Sequence, residues 1–221
     1  MKFSFSLLLL PLALLFSTVI PSDPDPLQDI YVADLTSAVK VNGFVCKDAA
    51  KAKANASDFF SNILAEPGAT NNMFGSLVTG ANVEKIPGLN IPGVSLSRID
   101  YAPGGINPPH MYPRSTKMVF VLEGELFVGF ITTSNKLISK KIQKGEVFVF
   151  PKGLVHFQKN VGYAAASVIA AFNSQLPCTQ SIATTLFAAT PPVPENVLAQ
   201  AFQVSTKEVE KIKAGLAPKK H

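Results

Sequence analysis

A chain of 221 residues, 47% hydrophobic and 16% charged with a formal net charge of +5, has enough apolar material for one main core. It carries too few charges for a disordered segment or a dedicated nucleic-acid binder. Two cysteines exclude a small domain held together by several disulfides.

The first element is a leader. Lys2 followed by Leu7–Leu10 and Leu12–Phe16 has the basic start and apolar centre of a secretory signal and is too short to span a membrane stably. Residues 1–22 are read as the signal peptide, with cleavage ahead of Asp23. The mature chain then holds nineteen basic and fifteen acidic residues, a net +4. No second hydrophobic span follows, so no membrane partner is expected. In a secreted chain Asn55-Ala-Ser57, the one Asn-x-Ser/Thr triplet, marks Asn55 as a glycosylation acceptor.

Residues 23–90 read as an N-terminal arm with the first strands, 91–190 as a barrel core and 191–221 as a helical tail. Val94 and Leu96 alternate with Ser95 and Ser97, and Met118–Leu122 and Leu126–Ile131 flank a Glu-Gly turn. Leu137–Ile142 leads into a Lys-Gly-Glu turn. Val147–Phe150, Phe157–Asn160 and Ala164–Phe172 continue the series, and short strands at close spacing predict an all-β double-sheet jelly roll. After Pro191 the period changes. Pro194 starts a helix carrying Val197, Leu198, Ala201 and Phe202 on one face, and Ser205 with Glu208 forms a capping box ahead of Val209, Ile212 and Leu216. Such stripes imply a surface to cover, either on the same barrel or on a neighbour.

Two stretches carry the chemistry: Gly-Gly-Ile-Asn-Pro-Pro-His at 104–110 and Lys-Gly-Glu-Val-Phe-Val-Phe-Pro-Lys-Gly-Leu-Val-His at 144–156. Proline and glycine are read as bending the backbone before His110, and a Pro-Lys-Gly turn precedes His156, so both rings are expected inside one barrel. The only other histidine is His221. These stretches resemble the paired cupin boxes of plant germins and germin-like proteins, and the likeness runs from about Asp23 to Leu216. The second box is intact as Gly145, Pro151, His156 and Asn160. In the first, Gly104, His110 and Gly124 stand, while Tyr112 occupies the second histidine position and Lys117 the glutamate position.

The resemblance implies a secreted protein of the apoplast or cell wall, a role in plant defence, a Mn(II) cofactor and a homohexamer built as a trimer of dimers. The substitutions qualify the metal. Manganese suits imidazole and carboxylate donors, whereas a phenol with a pKa near 10 must lose a proton before it binds as an anion. Replacing a carboxylate by an ammonium is worse, because two unit charges about 4 Å apart interact by roughly 4 kcal/mol at an effective dielectric of about 20. His110 and His156 are therefore read as interior histidines, with a weak two-histidine metal site as the alternative. Lys117 is expected to fill part of the metal space and to donate hydrogen bonds to Tyr112 and to a histidine nitrogen, leaving the pocket satisfied. Asn107 matches an asparagine lining the metal site of oxalate-oxidising members, where Ser97 replaces a second one; stabilising a turn before Pro108 is its other reading.

Family members also carry an N-terminal disulfide, whose second half matches Cys46 and whose first half is Tyr31 here. That bond cannot form, and the arm is expected to be looser for it. Two unpaired thiols are the default, with a Cys46 to Cys178 bond as the alternative. The mild positive charge suits either a solvated surface or weak association with acidic wall polysaccharide, and the lysines lack the interleaved aromatics of a nucleic-acid site. Two functions follow: a non-catalytic or nearly inactive germin-like protein, or a manganese superoxide dismutase or oxalate oxidase using a residual site. No nucleophile and base pair stands elsewhere to support a third.

Overall fold

Alternation of inward apolar and outward residues builds ten strands among the described residues. The computed structural model describes residues 29–40, 43–48 and 54–216; the expected signal peptide and His221 lie outside them. The strands are β1 (Ser76–Ala81), β2 (Ser95–Tyr101), β3 (Ile106–Met111), β4 (Lys117–Glu123), β5 (Glu125–Ile131), β6 (Leu137–Gln143), β7 (Val147–Phe150), β8 (His156–Asn160), β9 (Ala166–Phe172) and β10 (Gln180–Ser181). They form two five-stranded antiparallel sheets, ordered β1-β2-β9-β4-β7 and β10-β3-β8-β5-β6. This is the expected all-β double-sheet jelly roll.

The core lies between the sheets. Val119 and Val121 of β4, Leu126 and Val128 of β5 and Val168 of β9 are each 0% exposed, and fully burying one such side chain contributes about 1.5–3 kcal/mol. The β4–β5 turn depends on Gly124, whose φ is 84° and whose added Cβ would sit 2.5 Å from Cβ of Ala166. Only glycine satisfies both demands.

The arm is held without a staple. Ala33 pairs with Cys46 in an isolated bridge, Ala33 N donates to Pro87 O at 2.9 Å, and Val32 and Ala33 are buried. Cys46 and Cys178 are both free thiols in the structure, Cys178 on the surface. Asn55 is exposed and caps a 3-10 turn at Ala56–Phe59, its Oδ1 accepting from Ser57 N at 2.8 Å.

Three helices follow the barrel: α1 (Ile182–Phe187), α2 (Glu195–Phe202) and α3 (Thr206–Leu216). The Ser205–Glu208 capping box is present, with Glu208 N donating to Ser205 Oγ and Ser205 N to Glu208 Oε2. The stripe on α2 and α3 is only half used: Leu198 and Val209 are buried, while Val197, Phe202 and Ile212 are exposed. Among the described residues no helix is long and apolar enough to cross a membrane.

Candidate functional site

β3 and β8 place the two histidines face to face. His110 and His156 are direct register partners, each 1% exposed, with ring centroids 4.1 Å apart. The expected bend before His110 is absent, because Pro108 and Pro109 lie inside β3. The ladder slips between Asn107 and His110, and this irregularity accommodates Pro108 and Pro109, which lack the N–H a regular ladder needs. Asn107 accordingly sits in a strand rather than a turn, buried, with its Nδ2 donating to Gln158 Oε1 at 3.1 Å.

Backbone carbonyls set the state of both rings. Nδ1 of His110 lies 2.7 Å from Pro108 O, and Nδ1 of His156 lies 2.9 Å from Leu154 O. A carbonyl oxygen only accepts, so each Nδ1 carries the hydrogen and each Nε2 of the neutral ring presents a lone pair. Both Nε2 atoms are buried and have no hydrogen-bond partner among the described residues. Burial first, then the charge of Lys117, pushes the His110 pKa down to about 2, with a smaller contribution from His156. The same two leading causes push His156 to about 3. Both rings are neutral at physiological pH.

The opposite sheet contributes Lys117, the first residue of β4 and 0% exposed. Desolvation lowers its pKa to about 7, because a buried ammonium loses its hydration. The expected hydrogen bonds to Tyr112 and to a histidine are absent. Nζ donates instead to Gln158 Oε1 at 3.0 Å and lies 5.5 Å from the ring centroids of both Tyr112 and Phe150. Gln158 also accepts from Tyr101 Oη at 3.2 Å, so its carbonyl gathers three donors. It draws Lys117 away from the histidines, and the pocket is not self-satisfied: both imidazole Nε2 atoms and Gln158 Nε2 remain unpartnered. Gln158 escaped the sequence reading, although it lies two residues after His156 and two before Asn160, all on the inward face of β8.

Tyr112 closes the site. Its ring packs edge-on to His110 at 5.4 Å and against Phe172 at 4.8 Å. Burial raises its pKa, opposed by a hydrogen bond with Thr179. Beyond it lies a cavity of about 260 Å³ whose lining includes Tyr112, Ser97, Cys178 and Thr179 but neither histidine. Tyr112 therefore stands as a wall between that cavity and the imidazole pair. Ser97 is 3% exposed, with an unpartnered Oγ.

Asn160 is structural. Its Nδ2 donates to Ala102 O and Ala164 O, and its Oδ1 accepts from Gly162 N. Among the described residues no group of three or more His, Cys, Asp or Glu side chains is placed to hold a metal ion. Chemically, the site offers two neighbouring imidazole lone pairs, one amine that titrates near neutrality and no carboxylate.

Comparison with known proteins places this geometry in context. Residues 62–210 match the family model described as Cupin. The chain is 64% identical over 217 residues to germin-like protein subfamily 2 member 1 of Arabidopsis thaliana, covering 98% of each chain. It is 68% identical over 196 residues to the rhicadhesin receptor of Pisum sativum, covering 89% of each. A solved oxalate oxidase structure superposes with a TM-score of 0.85 at 45% identity, covering 90% of this chain and 100% of that one.

Proposed function

Since the chain belongs to the germin-like proteins of the cupin family, we propose that it is a secreted cell-wall protein that keeps the fold and assembly of its relatives while its manganese chemistry is lost. The observation that carries this reading is the fully buried Lys117 amine, positioned in the same interior as two bare histidine Nε2 atoms.

The donors do not fit a hard divalent cation. Manganese binding at this position would have two neutral imidazoles, a phenol whose pKa burial raises further and an amine that is protonated about half the time at pH 7. None supplies the negative charge that oxygen-preferring divalent ions draw on. Ser97 and the Tyr112 wall also argue against oxalate entry. The second reading, a residual manganese dismutase or oxalate oxidase, draws on the two unpartnered Nε2 atoms and on the likeness to the oxalate oxidase structure.

Assembly rests on surfaces rather than on the site. On the outer face of the β1-β2-β9-β4-β7 sheet, Leu96, Met118, Phe120, Val147 and Val149 are each between 43% and 52% exposed. Register joins them across Ile169 and Ala171 into one apolar patch. Patches of this kind mark association surfaces, and the free flanks of α2 and α3 add a second. A homohexamer, a glycan at Asn55 and a part in plant defence complete the reading.

Elemental analysis with light scattering on protein secreted from a manganese-supplied plant host tests it. Well under one manganese per hexamer subunit supports the proposal. One tightly held manganese per subunit favours the residual enzyme instead.

A further inference from the structure

The chain's positive charge is not spread evenly. Lys136, Lys140, Lys141, Lys144, Lys152 and Lys159 stand against one acid, Glu146, within residues 136–159, and the rest of the chain holds fourteen basic and fourteen acidic residues. The whole net charge of +5 therefore belongs to the segment that forms β6, β7, β8 and their connections.

Register shows where two of these lysines go. Lys141 of β6 and Lys159 of β8 both pair with Phe127 of β5, one on each side. Cross-strand partners share a face, and Leu126 and Val128 point into the core, so Phe127, Lys141 and Lys159 face outward together. Phe157, one row along, faces the same way, with its ring 5.7 Å from that of Phe127. The two phenyl rings are half-buried and tilted 53° to each other, while both lysines are exposed. With strands about 4.8 Å apart, the lysine backbones are about 10 Å apart across the aromatic pair. Glu125 touches Lys141 at 3.3 Å, and among the described residues Lys159 has no ion-pair partner.

We propose that this outer face of β5, β6 and β8 binds an acidic polysaccharide of the uronic-acid class, with sugar rings on Phe127 and Phe157 and carboxylates on Lys141 and Lys159. A pyranose presents a face of C–H groups that suits the negative face of a phenyl ring. A carboxylate on each side of that contact is met by a lysine point charge, and the exposed setting makes the attraction salt-sensitive. The face contains no arginine fork of the kind that favours phosphate, which separates it from a nucleic-acid or phospholipid site. The other sheet's outer face is mainly apolar, and its one cation on β2, Arg98, is already paired with Asp100 at 2.9 Å, so the two faces divide labour between self-association and ligand. The extracellular reading supplies the ligand's location only; binding in solution is independent of it and of the metal question.

Affinity electrophoresis through polygalacturonate tests the proposal on the full mature protein. Retardation is expected, falling with salt and absent in a fully methyl-esterified gel of the same backbone. Lys141→Gln with Lys159→Gln should weaken binding about tenfold, the effect of losing two modest charge contacts, whereas Lys136→Gln with Lys152→Gln, equal in charge removed, should change it less than about twofold. Phe127→Leu, which keeps apolar bulk, should also weaken binding without lowering the unfolding midpoint by more than a few degrees. No retardation, equal losses in the two lysine pairs, equal binding to the methyl ester, or equal binding to DNA or anionic vesicles would each overturn it.

Discussion

The barrel interior has two regions of opposite character. Around Val119, Val121, Leu126, Val128 and Val168 it is dry and 0% exposed. Around His110, His156, Lys117 and Gln158 it is equally buried but polar, and all four unpartnered buried side-chain atoms among the described residues lie in this region or at its rim on Ser97. The contrast separates fold from chemistry. The apolar half supplies the driving force for folding whatever occupies the other half, so a site can lose its ligands without the barrel collapsing.

The largest expected effects test that separation. Leu126→Ala should cost about 2–5 kcal/mol in a denaturant titration, with no change in metal content; a loss below about 1 kcal/mol would mean that the dry half is not the anchor. Gln158→Leu removes the acceptor shared by Tyr101, Asn107 and Lys117. Stranding buried donors in this way should cost about 3 kcal/mol, and a neutral result would show that the amide does not organise the polar half.

Lys117→Met should have the opposite sign. It replaces a buried amine by an apolar chain of similar length, and removing such a charge commonly stabilises by about 1–4 kcal/mol. Destabilisation would contradict the view of Lys117 as a cost to the fold.

The pH profile gives the most diagnostic effect. Lys117 has a folded pKa lowered to about 7 from 10.5, so between those values the unfolded chain binds the extra proton and stability rises with pH. The histidines, lowered to about 2 and about 3 from 6.5, work in a lower window. As pH falls below 6.5 the unfolded rings take up protons that the folded ones refuse, and stability drops. Urea midpoints should therefore climb from pH 7 to about 10, and Lys117→Met should abolish that climb while leaving the acid loss. Above 10 the buried phenols of Tyr101 and Tyr112, whose pKa values are raised, reverse the trend. A midpoint falling between pH 7 and 9 would contradict the assignment.

Much of the barrel could be read from sequence because its strands alternate cleanly: β4, β5 and β9 carry inward apolar residues at every second position, and glycine turns punctuate them. β3 was hidden. Pro108 and Pro109 argue against a strand, and only the slipped pairing with β8 lets the chain continue through them. The meeting of His110 and His156 was legible from the two boxes, but the partner of Lys117 was not. Its glutamate position in the first box pointed Lys117 at the histidines, whereas an amide on the same inward parity as His156 was the better acceptor. The face holding Lys141, Phe127 and Lys159 needed strand register, since in sequence these residues look scattered.

The central claim is that Tyr112 and Lys117, not any defect of the barrel, keep manganese out. The direct test is manganese stoichiometry in the unmodified protein and in Tyr112→His with Lys117→Glu, purified side by side from the same secreting host. The account predicts far less than one ion per subunit in the former and one in the latter, with Lys117→Glu alone in between. Equal manganese in both proteins, whether full or absent, would contradict it.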